Sequence, residues 1–191
     1  MTEHLMQALT RPRLLLVDDE PHILSALTRS LRHSLRQRFD DVVLETQSDP
    51  LQALRRAAEQ PFDLIISDYR MPGLLGVELL VRIRGLQPQA GRLILSGQVD
   101  HDGLVAAINE ACIDAFLAKP WNDELLAEVV ARTLMTVSAR RETERLADQM
   151  RARRGEITPQ ELERRRLELL EPGITHAEWD SDGSLLMEVP L

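Results

Sequence analysis

Short apolar runs of strand length alternate along the chain with stretches whose apolar residues recur every three or four positions. The runs are Arg13–Val17, Val42–Thr46, Leu64–Ser67, Arg92–Leu95 and Ala115–Ala118. Between the first two, Glu20-Pro21 places proline at a first helical position, and Ile23, Leu24, Leu27, Leu31 and Leu35 mark one face of a helix reaching about Arg38. Asp49-Pro50 opens a second helix that ends near Gln60-Pro61. After the central run and a Pro72-Gly73 loop, Leu79, Leu80 and Ile83 predict a third helix over 76–84, followed by a loop from Gly85 to Gly91. His101–Ala111 reads as a fourth helix, with Leu104, Ala107, Ile108 and Ala111 on one side. Asn122 caps a fifth that carries Leu125, Leu126, Val129, Val130, Leu134 and Val137.

Five strands alternating with five helices call for an α/β fold with a parallel sheet covered on both faces. Right-handed crossovers leave few arrangements, of which the flavodoxin-like doubly wound order 2-1-3-4-5 is a common one. The pattern does not stop there. Arg140 to Arg154 keeps helix formers, and opposite charges stand three apart in Arg141–Glu144, Glu142–Arg145 and Asp148–Arg151. The heptad signal fades past Val137, so a solvated helical extension is expected rather than a long coiled coil. Gly155 breaks it, and Thr158-Pro159-Gln160-Glu161 is a capping box that starts another helix, ending at Pro172-Gly173. Two β-prone arms around Asp180-Ser181-Asp182-Gly183 predict a C-terminal β-hairpin. The expected division is an N-terminal extension (1–10), a main domain (11–136), a helical extension (137–171) broken near 155–158, and a tail (172–191).

A net charge of −8 over 191 residues disfavours a general nucleic-acid binder, which needs a basic face. The single cysteine, Cys112, excludes an intramolecular disulfide and suits a reducing cytoplasm; its position at the end of a half-buried helix predicts a packed thiol. No run approaches the ~18 apolar residues of a membrane span, so a soluble cytoplasmic protein is expected. The five histidines show no ligand spacing with each other or with Cys112, and no transition-metal site is predicted. The basic residues are 22 arginines and one lysine, Lys119. In so Arg-biased a chain, a lone compact ammonium at a strand end points to a role that a planar guanidinium does not fill.

The strand ends carry the chemistry. The first run stops at Asp18-Asp19-Glu20, the central one at Ser67-Asp68, the fourth at Ser96-Gly97 and the fifth at Lys119-Pro120. In an open parallel sheet the carboxyl ends of the strands line the ligand crevice. Three acids, a hydroxyl and an amine therefore converge on one edge. Each has an ordinary reading alone: helix capping for the acid pair, a surface ion pair for Lys119. Their joint occurrence favours a site.

The acid pair, the Ser67-Asp68-Tyr69-Arg70-Met71-Pro72 segment, Ser96-Gly97 and Lys119-Pro120-Trp121 together resemble the receiver domain of bacterial two-component response regulators, over about residues 11–136. The resemblance implies the same strand order. It implies a phosphoryl-accepting Asp68, with Lys119 and Ser96 contacting the phosphoryl oxygens. It also implies Mg²⁺ held by Asp19 directly, Asp18 through water, Asp68 and the backbone carbonyl of Arg70. A hard divalent ion suits that acidic pocket, because clustered carboxylates need a cation to stay ionised. Ser96 and Phe116 take the switch positions. Phe116 stands where receivers often carry tyrosine, so it can turn inward but offers no hydroxyl. Arg70 and Gln98 are positioned to tune the phosphoryl group's lifetime.

The expected function is a phosphoacceptor response regulator that takes phosphoryl from a histidine kinase or phosphotransfer protein, acts through an output protein, and is not a free-standing enzyme. Two rivals come from other classes. A transcription regulator would grip DNA with the Arg-rich extension, although residues 137–171 carry nine arginines against eight acids. An aspartate-nucleophile phosphatase usually has a second acid two residues after the nucleophile, where this chain has Arg70. The Lys-Pro-Trp segment is similar to receivers linked to HD-type cyclic-dinucleotide phosphodiesterases, but no metal-binding His-Asp pattern follows it here. The apolar tail residues Ile174, Trp179, Leu186 and Val189 need cover from the receiver, the extension or a second subunit. A homodimer is favoured over a folded-back tail.

Overall fold

The computed structural model describes residues 11–36, 38–97, 111–170, 178–179 and 185–186. Its main sheet contains β1 (Arg13–Val17), β2 (Val43–Gln47), β3 (Leu64–Asp68), β6 (Gly91–Ser96) and β7 (Ala115–Ala118), all parallel, in the spatial order β2-β1-β3-β6-β7. Without the short strands β4 (Arg70–Met71) and β5 (Leu74–Leu75), this is the flavodoxin-like order 2-1-3-4-5. The helices are α1 (Pro21–Leu35), α2 (Pro50–Glu59), α3 (Gly76–Leu86), α4 (Asp123–Arg153) and α5 (Pro159–Leu170). The expected helix over His101–Ala111 lies outside the described residues except for Ala111, as does the N-terminal extension.

Alternating side chains divide the strands between two cores. Leu14, Leu16, Leu64, Ile66, Leu93 and Leu95 face α1 and α4, where Leu27, Leu31, Val130 and Leu134 meet them. Leu15, Val17, Ile65 and Ile94 face the other way, toward Ala53, Ala57, Leu79 and Ile83 of α2 and α3. Burial on both faces is why these strands read as continuous apolar runs.

Local sequence sets the helix ends. The Asp49 carboxylate accepts the Leu51 amide at 2.9 Å, Asn122 accepts Leu125 at 3.0 Å and Thr158 accepts Glu161 at 3.1 Å. Gly155, at φ 73°, ends α4 in the left-handed conformation favoured by glycine.

The expected Pro72-Gly73 turn forms, at the tip of a miniature antiparallel ladder between β4 and β5, with Gly73 at φ 82°. Other expectations need correction. The third helix runs two residues beyond Arg84, so Gly85 is helical rather than part of a loop. Cys112 is exposed, not packed: at φ 48° the chain turns out of the helical path just after Ala111. Arg141 does not pair with Glu144 but crosses to Asp63, although Glu142–Arg145 (2.7 Å) and Asp148–Arg151 (3.0 Å) form as expected.

α4 is one unbroken helix across the boundary expected at 136–137. Its continuation is pinned at the amino-terminal edge of the sheet. Arg140 donates to the Gln89 carbonyl at 2.9 Å, and Arg141 donates to the Phe62 carbonyl at 3.2 Å while pairing with Asp63. Beyond it α5 returns alongside, tied by Arg165 to Asp148 at 2.9 Å. In the tail, β8 (Glu178–Trp179) and β9 (Leu185–Leu186) pair antiparallel, the pattern expected of the hairpin. No helix among the described residues is long and apolar enough to cross a membrane.

Candidate functional site

Register brings the strand ends together. Val17 lies opposite Ser67, Asp68 opposite Leu95, and Ser96 opposite Ala118, so the residues that follow share one edge of the sheet. Asp18, Asp68 and Ser96 are all buried. The Lys119 amide donates to the Ser96 carbonyl at 2.7 Å, and the Lys119–Pro120 bond is cis.

The Lys119 ammonium is wedged between two carboxylates. Its Nζ donates to Asp18 Oδ2 at 2.6 Å and to Asp68 Oδ1. Asp68 Oδ2 accepts the Arg70 backbone amide at 2.6 Å, so both of its oxygens are engaged. Asp18 Oδ1 accepts the Glu20 amide at 3.0 Å. Asp18 does not cap α1, whose N-cap is Glu20 with no side-chain cap hydrogen bond, so its second oxygen closes the turn between β1 and the helix instead.

Burial and charge compete in this cluster. Desolvation pushes the Asp18 carboxyl above its usual range, outweighing the opposing pull of Lys119 and the Glu20 amide. Burial alone would lower Lys119, but its hydrogen bonds and attraction to Asp18 and Asp68 more than offset this, and its pKa is raised. Lys119 is therefore held as an ammonium at neutral pH.

Of the remaining expected residues, Asp19 is partly buried at the same edge, and among the described residues it makes no ion pair with Lys119. The Arg70 side chain is exposed and forms no ion pair among the described residues. Phe116 is half-buried against the core cluster that contains Tyr69 and Ile94. Gln98 lies outside the described residues. Among the described residues, no group of three acid, imidazole or thiol side chains stands close enough to hold a metal ion. A hard cation at this edge would therefore complete its shell with backbone oxygen and water.

Gly76 supports the site and went unrecognised in the sequence. A Cβ there would overlap the Asp68 backbone carbonyl and lie 2.8 Å from Ser67 Oγ. The Gly76 amide donates to the Tyr69 carbonyl at 2.9 Å, closing the loop that follows Asp68. The signal was present, since glycine opening a helix just after an acid-bearing strand marks a close backbone approach.

Comparison with known proteins agrees with this arrangement. The family model described as the response regulator receiver domain matches residues 14–131, more than half of the chain. The hydrogenase transcriptional regulatory protein HoxA of Cupriavidus necator is 36% identical over 120 residues, covering 63% of this chain and 23% of that protein. The transcriptional regulatory protein PrrA of Mycobacterium tuberculosis is 37% identical over 123 residues, covering 64% of this chain and 48% of that one. The match thus spans less than half the length of either relative. Among solved structures, the signal receiver domain of an HD domain-containing protein from Pseudomonas fluorescens Pf-5 is 33% identical, with a TM-score of 0.61, covering 68% of this chain and 98% of that one. The fold, the strand-end cluster and these matches agree: the chain belongs to the response regulator receiver family of two-component systems.

Proposed function

We propose that Asp68 is the phosphoryl acceptor, served by a histidine kinase or phosphotransfer protein, and that the phosphorylated chain acts by contacting an output protein. The observation that carries this reading is the Lys119 ammonium held between Asp18 and Asp68 at the sheet edge. In the transfer, the nitrogen–phosphorus bond of a phosphohistidine breaks as a bond forms from phosphorus to an Asp68 carboxylate oxygen, giving an acyl phosphate. Catalysis is then positioning and charge neutralisation. Lys119 would leave its pairing with Asp68 to meet the phosphoryl oxygens, and the Ser96 hydroxyl would donate to another of them. The Arg70 amide on Asp68 Oδ2 aims the carboxylate.

The donors fit Mg²⁺ in kind, since all are oxygens. Asp19, Asp68 and the Arg70 carbonyl would hold it directly and Asp18 through water, and it would supply charge neutralisation for the incoming phosphoryl group. A bound cation would offset the cost that burial puts on ionising Asp18. The unit boundaries expected at 11–136, 137–171 and 172–191 belong to this reading, with α4 shared by the first two.

Output through protein contact is favoured over DNA binding by the state of the extension's arginines. Arg140 and Arg141 hold the receiver, while Arg145, Arg151, Arg165 and Arg166 pair with acids, so few remain for phosphates. Incubation with acetyl phosphate and Mg²⁺ should label the parent protein, and neither Asp68→Asn nor the parent with chelator should be labelled. Full labelling of Asp68→Asn would overturn the assignment.

A further inference from the structure

From the acceptor edge, where the Asp18 amide donates to the Gln47 carbonyl at 3.2 Å, α1 and the edge strand β2 enclose an open groove of about 870 Å³ that runs down to Arg36. Leu24 and Leu44 give it an apolar floor, and Arg29 and Arg32 of α1, with Arg36 just past its end, line the opposite wall. No Asp or Glu is among the described residues lining it. Unlike most arginines of the extension, these three form no ion pair or side-chain hydrogen bond among the described residues. Thr28, also in the lining, has a hydroxyl that is buried with no partner there. Three unanswered cations and an unanswered hydroxyl over an apolar floor fit an acidic, extended segment with apolar side chains.

We infer that this groove seats the C-terminal tail of the same chain, residues 171–191, of which only Glu178–Trp179 and Leu185–Leu186 are among the described residues. The tail carries Glu171, Glu178, Asp180, Asp182 and Glu188 with no Lys or Arg, and its Ile174, Trp179 and Val189 supply apolar groups for the floor. Connectivity favours the same chain. α1 runs antiparallel to the strands, so Arg32 and Arg36 lie at the amino-terminal edge of the sheet, the edge where Arg141 anchors the extension to Asp63. The Arg165–Asp148 contact shows α5 returning along α4 toward that edge. α1 itself packs beside α4, with Ser30 donating to Asp123 at 2.7 Å. Extended chain covers about 3.3 Å per residue, so one hairpin arm of about six residues spans roughly 20 Å, close to the length of α1 at about 1.5 Å per residue.

Hydrogen exchange of the full chain tests the proposal, with a free peptide of residues 171–191 as reference. In the parent, tail amides should exchange at least tenfold more slowly than in the peptide. Arg32→Glu combined with Arg36→Glu should return them to the peptide rate while core strands stay protected. Adding Glu178→Arg and Asp180→Arg to that variant should restore protection. A parent tail exchanging like the free peptide, or one protected equally in the reversed variant, would overturn the proposal. So would protection that rises with protein concentration alongside a dimer in sedimentation, which would assign the groove to the tail of a second copy. Binding of an unrelated acidic peptide to the parent groove without freeing the tail would overturn it as well.

Discussion

Gly76 and Gly85 open and nearly close the same helix, yet substitution should act on them in opposite directions. An alanine at 76 drives its methyl into the Asp68 carbonyl, whereas at 85 nothing lies within 4 Å of the added carbon. Gly76→Ala should destabilise by about 1–3 kcal/mol through overpacking. Gly85→Ala should stabilise by about 0.5–1 kcal/mol, because a helical glycine costs backbone entropy. Urea denaturation checks both, and equal effects would refute the close approach. Asp18 gives a second contrast. Its carboxyl is raised in the folded state, so the folded protein binds that proton more readily than the unfolded chain. The associated stability is fully present below the ordinary carboxylate range and is lost as pH rises through the folded value. Above that value the ionised group is a net cost. Asp18→Asn should therefore raise the thermal midpoint at pH 7, with the gain shrinking as pH falls into the carboxylate range. A midpoint difference independent of pH would contradict the burial argument.

Among elements, α4 has the most to explain, because one helix serves both the receiver core and the appendage. Its first half is buried through Leu126, Val130, Leu134 and Val137, while Leu146 and Met150 further on are exposed. Arg141 bridges the two regimes by pairing with Asp63, whose other oxygen accepts the Arg13 amide at 2.7 Å. Arg141→Ala should cost about 1–2 kcal/mol, since it leaves a largely buried carboxylate half-satisfied. It should also speed amide exchange over 140–153 more than over 123–137, as measured by mass spectrometry; uniform exchange along α4 would show that the anchor is immaterial. Sequence periodicity placed α4 and its Asn122 cap correctly, because burial and capping are local signals. It paired Arg141 with Glu144 because i,i+3 spacing is visible in one dimension and the approach of Asp63 is not. The same limit hid Gly76, whose neighbour is the backbone of another element.

At the scale of the whole molecule, the sheet order and the site edge were both legible. Strands buried on two faces leave plain apolar runs, and the residue after each run is the one that lines the crevice. The groove between α1 and β2 was not legible. It depends on Arg29, Arg32 and Arg36 lying beside Leu44 of a strand that follows later in sequence, and on all three having no partner among the described residues. The tail's need for cover was visible from Trp179 and its neighbours, and a second subunit was the expected source. The groove offers a seat within the same chain, reached without the entropy cost of association.

Lys119, wedged between Asp18 and Asp68, is also the chain's one lysine. Amine-acylating reagents therefore have a single side-chain target in this protein, and it lies in the acceptor pocket. Held as an ammonium by two carboxylates, it should acylate slowly in the parent. In Asp18→Asn, which removes one of those carboxylates, intact-mass spectrometry should find faster modification. Equal rates in the two proteins would mean that the wedge does not govern the amine's reactivity. The pocket thus carries its own chemical reporter, readable without an added dye or label.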